Sequence, residues 1–287
     1  MERLRVVDAH VHFWDPSVLR YPWLDAVPGL RRRFLPADYR PPDSPATDAT
    51  VFIEANCAPR EALDEVRFIE RLAGADPSIA GIVAFVDLRD AATRTGLLDR
   101  LAESPRVVGV RQNIQGQPPG FALDAAFIDG VRDAGRRGLT FDLCVTPGQL
   151  GEVAQLVERC PGTSFVLDHC GKPAIRDEAF APWAVALDAL ARHDHVACKF
   201  SGLLTEARAE QRNDETLGPY AEHALRCFGV SRMLYGSDWP VVTLAGDAGA
   251  WRGFTDRFTA AWSSSDRQAF YADNAIRLYG LRLHAKL

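Results

Sequence analysis

Two histidines one residue apart, His10 and His12, end the apolar run Val6-Val7-Asp8-Ala9-His10-Val11-His12 near the start of the chain. Residues two apart in a β-strand share a face, so both imidazoles point one way near the strand's C-terminal end. A pair of neutral imidazoles is the beginning of a divalent-metal clamp, and it needs a further nitrogen and an ionised carboxylate to become a shell. The chain holds candidates for both far downstream: His169, and Asp238 within Gly236-Ser237-Asp238-Trp239-Pro240. His10, His12, His169 and Asp238 together supply three nitrogens and one oxygen, with water to complete the coordination of one metal ion. A lysine-bridged pair of metals would want Lys on the fourth strand, where Arg111 stands, so the site is mononuclear.

Those four residues meet only if the chain returns repeatedly to one rim, and its pattern predicts that it does. Eight short β-rich runs, 6–12, 49–55, 82–88, 107–114, 139–145, 164–169, 196–201 and 233–237, alternate with stretches whose apolar residues recur at three and four, such as Leu63, Val66, Ile69 and Leu72. Eight strand-helix units in 287 residues predict a single-domain (β/α)8 TIM barrel occupying residues 1–287. An open doubly wound sheet would instead carry a glycine-rich phosphate turn after an early strand, and none is there. The connection after the first strand, from Phe13 to about Asp48, is unusually long and carries Trp14, Tyr21, Trp23, Phe34 and Tyr39, which either shape a binding site or cap the barrel mouth.

In such a barrel the strand ends bear the active site. Besides the four candidate ligands, Glu54, Arg111, Asn113, Lys199 and Ser201 fall at strand ends and are predicted on the same rim. Arg111 and Lys199 either anchor substrate or serve as buried counter-ions for Glu54 or Asp238; substrate anchoring is the favoured reading, because charges in a barrel mouth are costly unless paired or used. Glu54 either orients Arg111 or binds a hydroxyl. A second pair of the same spacing, His193-Asp194-His195, sits where a helix gives way to strand seven, on the opposite, stability face. That pair, with His223 and His284, reads as structural or solvated, and Arg31-Arg32-Arg33 as a solvated charge run. Ser237 lacks a G-x-S-x-G elbow, so no serine nucleophile is indicated.

Composition narrows the partners. A net charge of −5 with 25% charged residues offers no basic surface for a nucleic-acid backbone. No apolar run reaches the roughly 20 residues of a membrane span, and the first residues lead straight into a strand, so a cytoplasmic protein is expected. Six cysteines without C-x-x-C spacing suit reduced, core-packed thiols better than disulfides or a thiolate zinc site. A homo-oligomer is left open.

His10-Val11-His12-Phe13-Trp14, the segment 107–113 (VVGVRQN), 167–173 (LDHCGKP), 198–203 (CKFSGL) and 234–241 (LYGSDWPV) occur in order along nearly the whole chain. The sequence they mark resembles the amidohydrolase superfamily, specifically the amidohydrolase-related branch that contains sugar lactonases such as L-fucono-1,5-lactonase. The resemblance implies a hydrolase that opens a sugar-acid lactone or related small lactone, with His10, His12, His169 and Asp238 as the catalytic cluster and Arg111 and Lys199 on the substrate. It implies one divalent metal, expected to be zinc, and also that the ion can be dispensable, since lactonases of this branch are thought to turn over without one. The stretch 112–121 departs from the histidine-containing version associated with fuconolactonases.

On this reading Asp238 takes a proton from water, and the metal, or protonated histidine with Arg111, polarises the carbonyl. Trp14 and Trp239 either cover the apolar face of a sugar ring or pack the barrel top, leaving ring hydroxyls for Glu54, Asn113 or Lys172. The alternative reaction is a zinc-dependent, non-oxidative decarboxylation of an aromatic or unsaturated carboxylic acid, which releases carbon dioxide in place of a proton. A non-catalytic sugar-acid binding protein would instead be stabilised by ligand without turnover.

Overall fold

The computed structural model describes residues 3–39 and 47–283; His284 and part of the first long connection lie outside the described residues. Eight parallel strands follow one another around a barrel in chain order: β1 (Val7–Val11), β2 (Ala49–Ile53), β3 (Ile79–Phe85), β4 (Val107–Arg111), β5 (Thr140–Leu143), β6 (Phe165–Leu167), β7 (Val196–Phe200) and β8 (Met233–Tyr235). This is the expected (β/α)8 barrel in one domain. Seven of the strands are shorter than the apolar runs that mark them, while β3 keeps the expected length but lies three residues towards the N-terminus, its ladder to β4 ending at the pair Phe85 and Arg111. The polar residues of the rim therefore stand mostly just beyond the strands, not within them.

Outside lie α1 (Ala62–Ala75), α2 (Ala91–Ala102), α3 (Ala125–Arg136), α4 (Leu150–Arg159), α5 (Phe180–Ala191), α6 (Asp214–Phe228) and α7 (Ala248–Phe258). Several open on a side chain that satisfies otherwise orphaned N–H groups: Asp90 for α2, Asp124 for α3, Asn213 for α6 and Asp247 for α7. Among the described residues the first unit has no such helix. Its place is taken by the long connection, which forms two 3-10 turns (Pro22–Ala26 and Pro28–Leu30) and the single turn Pro36–Tyr39.

Among the described residues the seam between β8 and β1 is hydrogen-bonded at the rim end only. There Asp238 N–H donates to His10 O at 2.9 Å, and His12 N–H to Trp239 O at 2.8 Å. Asp8, buried on β1, draws the two segments together further by accepting from Ser237 N–H (2.9 Å) and from the Tyr39 hydroxyl (2.7 Å). The bonds that close the barrel are thus the bonds that seat Asp238 beside His10 and His12. At the other end Tyr279 and Leu281 of the C-terminal segment join a cluster with Val51, Val83, Val166 and Ala197. From there the Tyr279 hydroxyl reaches Asp142 at 3.1 Å.

Candidate active site

The rim brings the four candidate ligands together. His10 Nε2 and His12 Nε2 are 3.1 Å apart, and Asp238 Oδ1 lies 3.6 Å from the first, 3.5 Å from the second and 4.0 Å from His169 Nε2. All four side chains are buried. Each imidazole has its other nitrogen engaged: His12 Nδ1 with Ile53 O at 2.8 Å, His169 Nδ1 with Ser201 Oγ at 2.9 Å, and His10 Nδ1 with Asp168 Oδ1 at 3.2 Å. A second partner on Nδ1 fixes the ring and aims the Nε2 lone pair, the arrangement by which proteins orient histidine ligands.

Backbone conformation contributes as much as the strands. Just after β6 the chain turns through left-handed residues at His169 (φ 55°) and Cys170 (φ 52°), and just after β8 through Asp238 (φ 59°). These conformations are costly for side-chain-bearing residues and mark positions held by their surroundings. Gly202 makes room for one of them: a Cβ there would stand 2.6 Å from His169 Cβ. Gly236 does the same for His10, whose Cβ would lie 2.9 Å from an added methyl.

Electrostatics separate the roles of the groups. Burial drives His10 well below its ordinary value, helped by the Lys199 ammonium and only partly countered by Asp168. Burial likewise lowers His169 to about 4, against the raising effect of Asp238. Asp238 moves the other way in charge: burial alone would raise it, but His169, the His12 hydrogen bond and His10 outweigh that and hold it well below the usual carboxylate range. Near neutral pH His10 and His169 are therefore neutral beside an ionised Asp238. That is the protonation state metal ligation requires, and two groups of ligating side chains, His10, His12 and Asp238, and His10, Asp168 and His169, meet the spacing for an ion.

Beneath the cluster the barrel interior is a buried ionic column. Arg111 donates from Nε to Glu54 Oε1 (2.7 Å), from Nη1 to Asp168 Oδ2 (3.0 Å) and from Nη2 to Glu54 O (2.7 Å). Lys199, fully buried, donates to Asp142 and stands 3.0 Å from Asp168 Oδ1 and 3.3 Å from His10 Nδ1. Asp168 is held well below the ordinary range: burial opposes ionisation, but Lys199, His10 and Arg111 prevail. Each cation of the column has two carboxylates, which is what makes such charges tolerable out of water.

A cavity of about 220 Å³ opens above the cluster, smaller than the roughly 300–1,000 Å³ typical of drug-sized ligands and suited to one small ring. His12, His169, Asp238 and an edge of Arg111 form its floor, and Trp23, Asn56, Asn113, Gln115, Cys144, Lys172 and Val241 its walls. Asn113 and Lys172, candidates for substrate contact in the sequence, both line this cavity. Lys199 and Glu54 do not: both are sealed beneath the cavity as mutual support for the column, and Arg111 spends its donors on Glu54 and Asp168. Trp14 and Trp239 also differ from the ring-covering reading. Trp14 is buried with Nε1 on Arg32 O (2.8 Å) and Leu30 O, and Trp239 packs among Phe13, Phe34 and Tyr39. Trp23 faces the cavity instead.

Asp168, Asp142 and Asp8 had been given no role by the sequence, although each is a carboxylate in or beside an apolar strand, the signal that selected the others. His193 and His195 lie before β7, on the face opposite the cavity, as expected, and Arg31, Arg32 and Arg33 are exposed.

The amidohydrolase family model matches residues 7–281. The chain belongs to the amidohydrolase family. Among its members, an L-fucono-1,5-lactonase from Burkholderia multivorans is 34% identical, over 96% of this chain and 96% of that protein. The crystal structure of an amidohydrolase from Burkholderia multivorans with bound zinc is similar with a TM-score of 0.86 and 32% identity, covering 97% of this chain and 100% of that one. The 5-carboxyvanillate decarboxylase of Sphingomonas paucimobilis, at 15% identity and a TM-score of 0.63 over 98% of this chain and 100% of that one, shares the fold alone. Among the described residues no helix is long and apolar enough to cross a membrane.

Proposed function

We propose that this amidohydrolase opens the ring of a sugar-acid lactone by adding water to its carbonyl, with Asp238 moving the proton. The observation that carries the reading is the convergence of three imidazole Nε2 atoms on Asp238 Oδ1 at the floor of a cavity sized for one ring. Similarity to an L-fucono-1,5-lactonase over nearly the whole chain supports the aldonolactone class.

The residues present fit a divalent ion. Three ligand atoms at mutual distances of 3.1–3.6 Å are spaced like one face of a tetrahedron around zinc. His10, His12 and Asp238 would hold it, with His169 beside them. When bound there, such an ion polarises the lactone carbonyl and favours ionisation of water.

The chain's own groups do the rest. Asp238, ionised near neutral pH, accepts a proton as water oxygen bonds to the carbonyl carbon. Collapse of the tetrahedral adduct breaks the bond from that carbon to the ring oxygen. The low proton affinity of Asp238 makes its acid form a ready donor, so it returns the proton to the departing oxygen, giving a hydroxy acid that ionises in solution. Trp23 covers the apolar face of the ring. Asn113 Oδ1 is buried without a partner, an open acceptor for a ring hydroxyl, and Lys172, which also lines the cavity, holds another.

The test is proton release by purified protein on five- and six-membered-ring aldonolactones, L-fucono-1,5-lactone among them, before and after chelation. Rapid ring opening supports the reading, and the chelated arm reports whether an ion is needed. Silence across the panel, with carbon dioxide released from an aromatic acid instead, would replace it with decarboxylation.

A further inference from the structure

On the outer helical layer, one cluster of ligating side chains has no part in the chemistry above. His223 and Cys227 lie four residues apart on α6 and so share a face of that helix, and Asp188 approaches them from α5. Cys227 Sγ donates to Asp188 Oδ1 at 3.0 Å, His223 Nε2 is 3.5 Å from the same oxygen, and one ligand atom from each residue lies within 4.8 Å of the other two. Ligand atoms on a tetrahedral zinc stand roughly 3.4–3.6 Å apart, given its usual bond lengths. Adjustments of less than an ångström or so would seat an ion there. We propose that Asp188, His223 and Cys227 form a binding site for a zinc-class divalent ion that clips α5 to α6, with water as the fourth ligand.

The donor set selects the ion. A thiolate and an imidazole beside one carboxylate favour zinc or cobalt over magnesium or calcium, which seek oxygen. The imidazole is already aimed: His223 is buried, with its ring against Phe180 and Trp183 at centroid distances of 5.5 and 5.2 Å. At present its Nε2 bonds Ala184 O at 3.1 Å and its Nδ1 meets Arg226 Nη2 at 3.1 Å. On binding, the ring proton moves from Nε2 to Nδ1, the ion takes Nε2, and the exposed Arg226 turns out to solvent. The Cys227 thiol loses its proton to water as sulfur bonds the ion, so one proton is released per ion bound. Burial, then the hydrogen bond and charge of Asp188, push the free thiol up to about 12, so it keeps its proton until an ion displaces it.

The site escaped the sequence pattern because its spacing is a helix face plus a neighbouring helix, not a C-x-x-C knuckle. It also sets Cys227 apart from the expectation of core-packed thiols: five cysteines are buried and Cys227 is half-buried. Thiol reagents on the native protein therefore report on it first.

Cobalt is titrated into the whole protein while thiolate-to-cobalt charge transfer is followed in the near ultraviolet, and alkylation of the native protein by iodoacetamide is timed with and without zinc. The site predicts a charge-transfer band that is absent from Cys227→Ala, half-saturation at least about tenfold weaker in Asp188→Ala, and alkylation of Cys227 slowed about tenfold by zinc, with lactone hydrolysis unchanged in both variants. Asp188 is exposed, so its variant keeps the core, and the alkylation arm needs no variant. A wild-type protein with no band at saturating cobalt, a band that survives Cys227→Ala, or alkylation indifferent to zinc would overturn the proposal.

Discussion

At the C-terminal rim of the barrel His10 and His12 face each other at 3.1 Å between Nε2 atoms, both buried, each with Nδ1 engaged and with Asp238 within 3.6 Å. At the N-terminal end His193 and His195 repeat the same spacing with ring centroids 5.8 Å apart, and His195 Nε2 has no partner. Among the described residues neither joins a group of ligating side chains. The same His-x-His spacing stands at the end of β1 in one place and in the turn before β7 in the other. What separates a candidate site from a pair of structural histidines is the second partner that fixes each ring and the carboxylate that completes the set.

The sharpest way to break that contrast is substitution on both sides of it. His12→Asn is expected to lower kcat/KM by about 10²–10⁴-fold, the range for a positioned proton-transfer or ligand group, while His193→Asn leaves it unchanged; steady-state kinetics on one lactone compares them. Comparable losses in both would erase the distinction. The ionic column beneath the rim comes next. Lys199→Met leaves Asp142 and Asp168 without their shared cation and should cost about 3–5 kcal/mol in urea unfolding, whereas His195→Ala, half-exposed and unpaired, should change stability by about 0.5 kcal/mol or less.

Acid titration probes the same asymmetry on a smaller scale. His10 and His169 bind protons less readily in the folded state than in the unfolded chain, where a histidine titrates near 6.5. As pH falls below that value the unfolded chain gains protons that the native state refuses, so stability falls with falling pH. The loss is about 1.4 kcal/mol per pH unit for each histidine, and for His169 it ends near pH 4. Melts of chelated protein between pH 7 and pH 4.5 should show this slope, and His169→Asn should remove one proton's share of it; an unaltered slope would contradict the assignment. The tryptophans divide in the same way, and the smallest expected effect on turnover is at Trp23. Trp23→Ala should raise KM several-fold with kcat little changed, whereas Trp14→Ala should leave KM alone and cost about 3–5 kcal/mol of stability.

Much of this was legible in the sequence for a physical reason: a polar residue at the end of an apolar run is costly to bury unless used, and eight such runs define the barrel. His10, His12, His169 and Asp238 stand out on that rule, as does Asn113. Asp142 and Asp168 obey it too, but a sequence reading that gives their partners, Lys199 and Arg111, to substrate leaves no cation for them to neutralise. The tryptophans were not separable in advance. Trp14 points inward because its indole N–H is claimed by carbonyls 16 and 18 residues away, a consequence of the loop's path that alternation does not encode. The turn at His169 and Cys170 was equally hidden, since Gly202, which makes space for it, belongs to another unit of the barrel.

The central claim is that Asp238 moves the proton in lactone opening, and the most direct measurement is proton release from L-fucono-1,5-lactone by wild-type protein and Asp238→Asn at matched metal content. The account predicts turnover by the first and a loss of about 10²–10⁴-fold in kcat for the second, with circular dichroism unchanged. A folded Asp238→Asn that hydrolyses the lactone at the wild-type rate would contradict it.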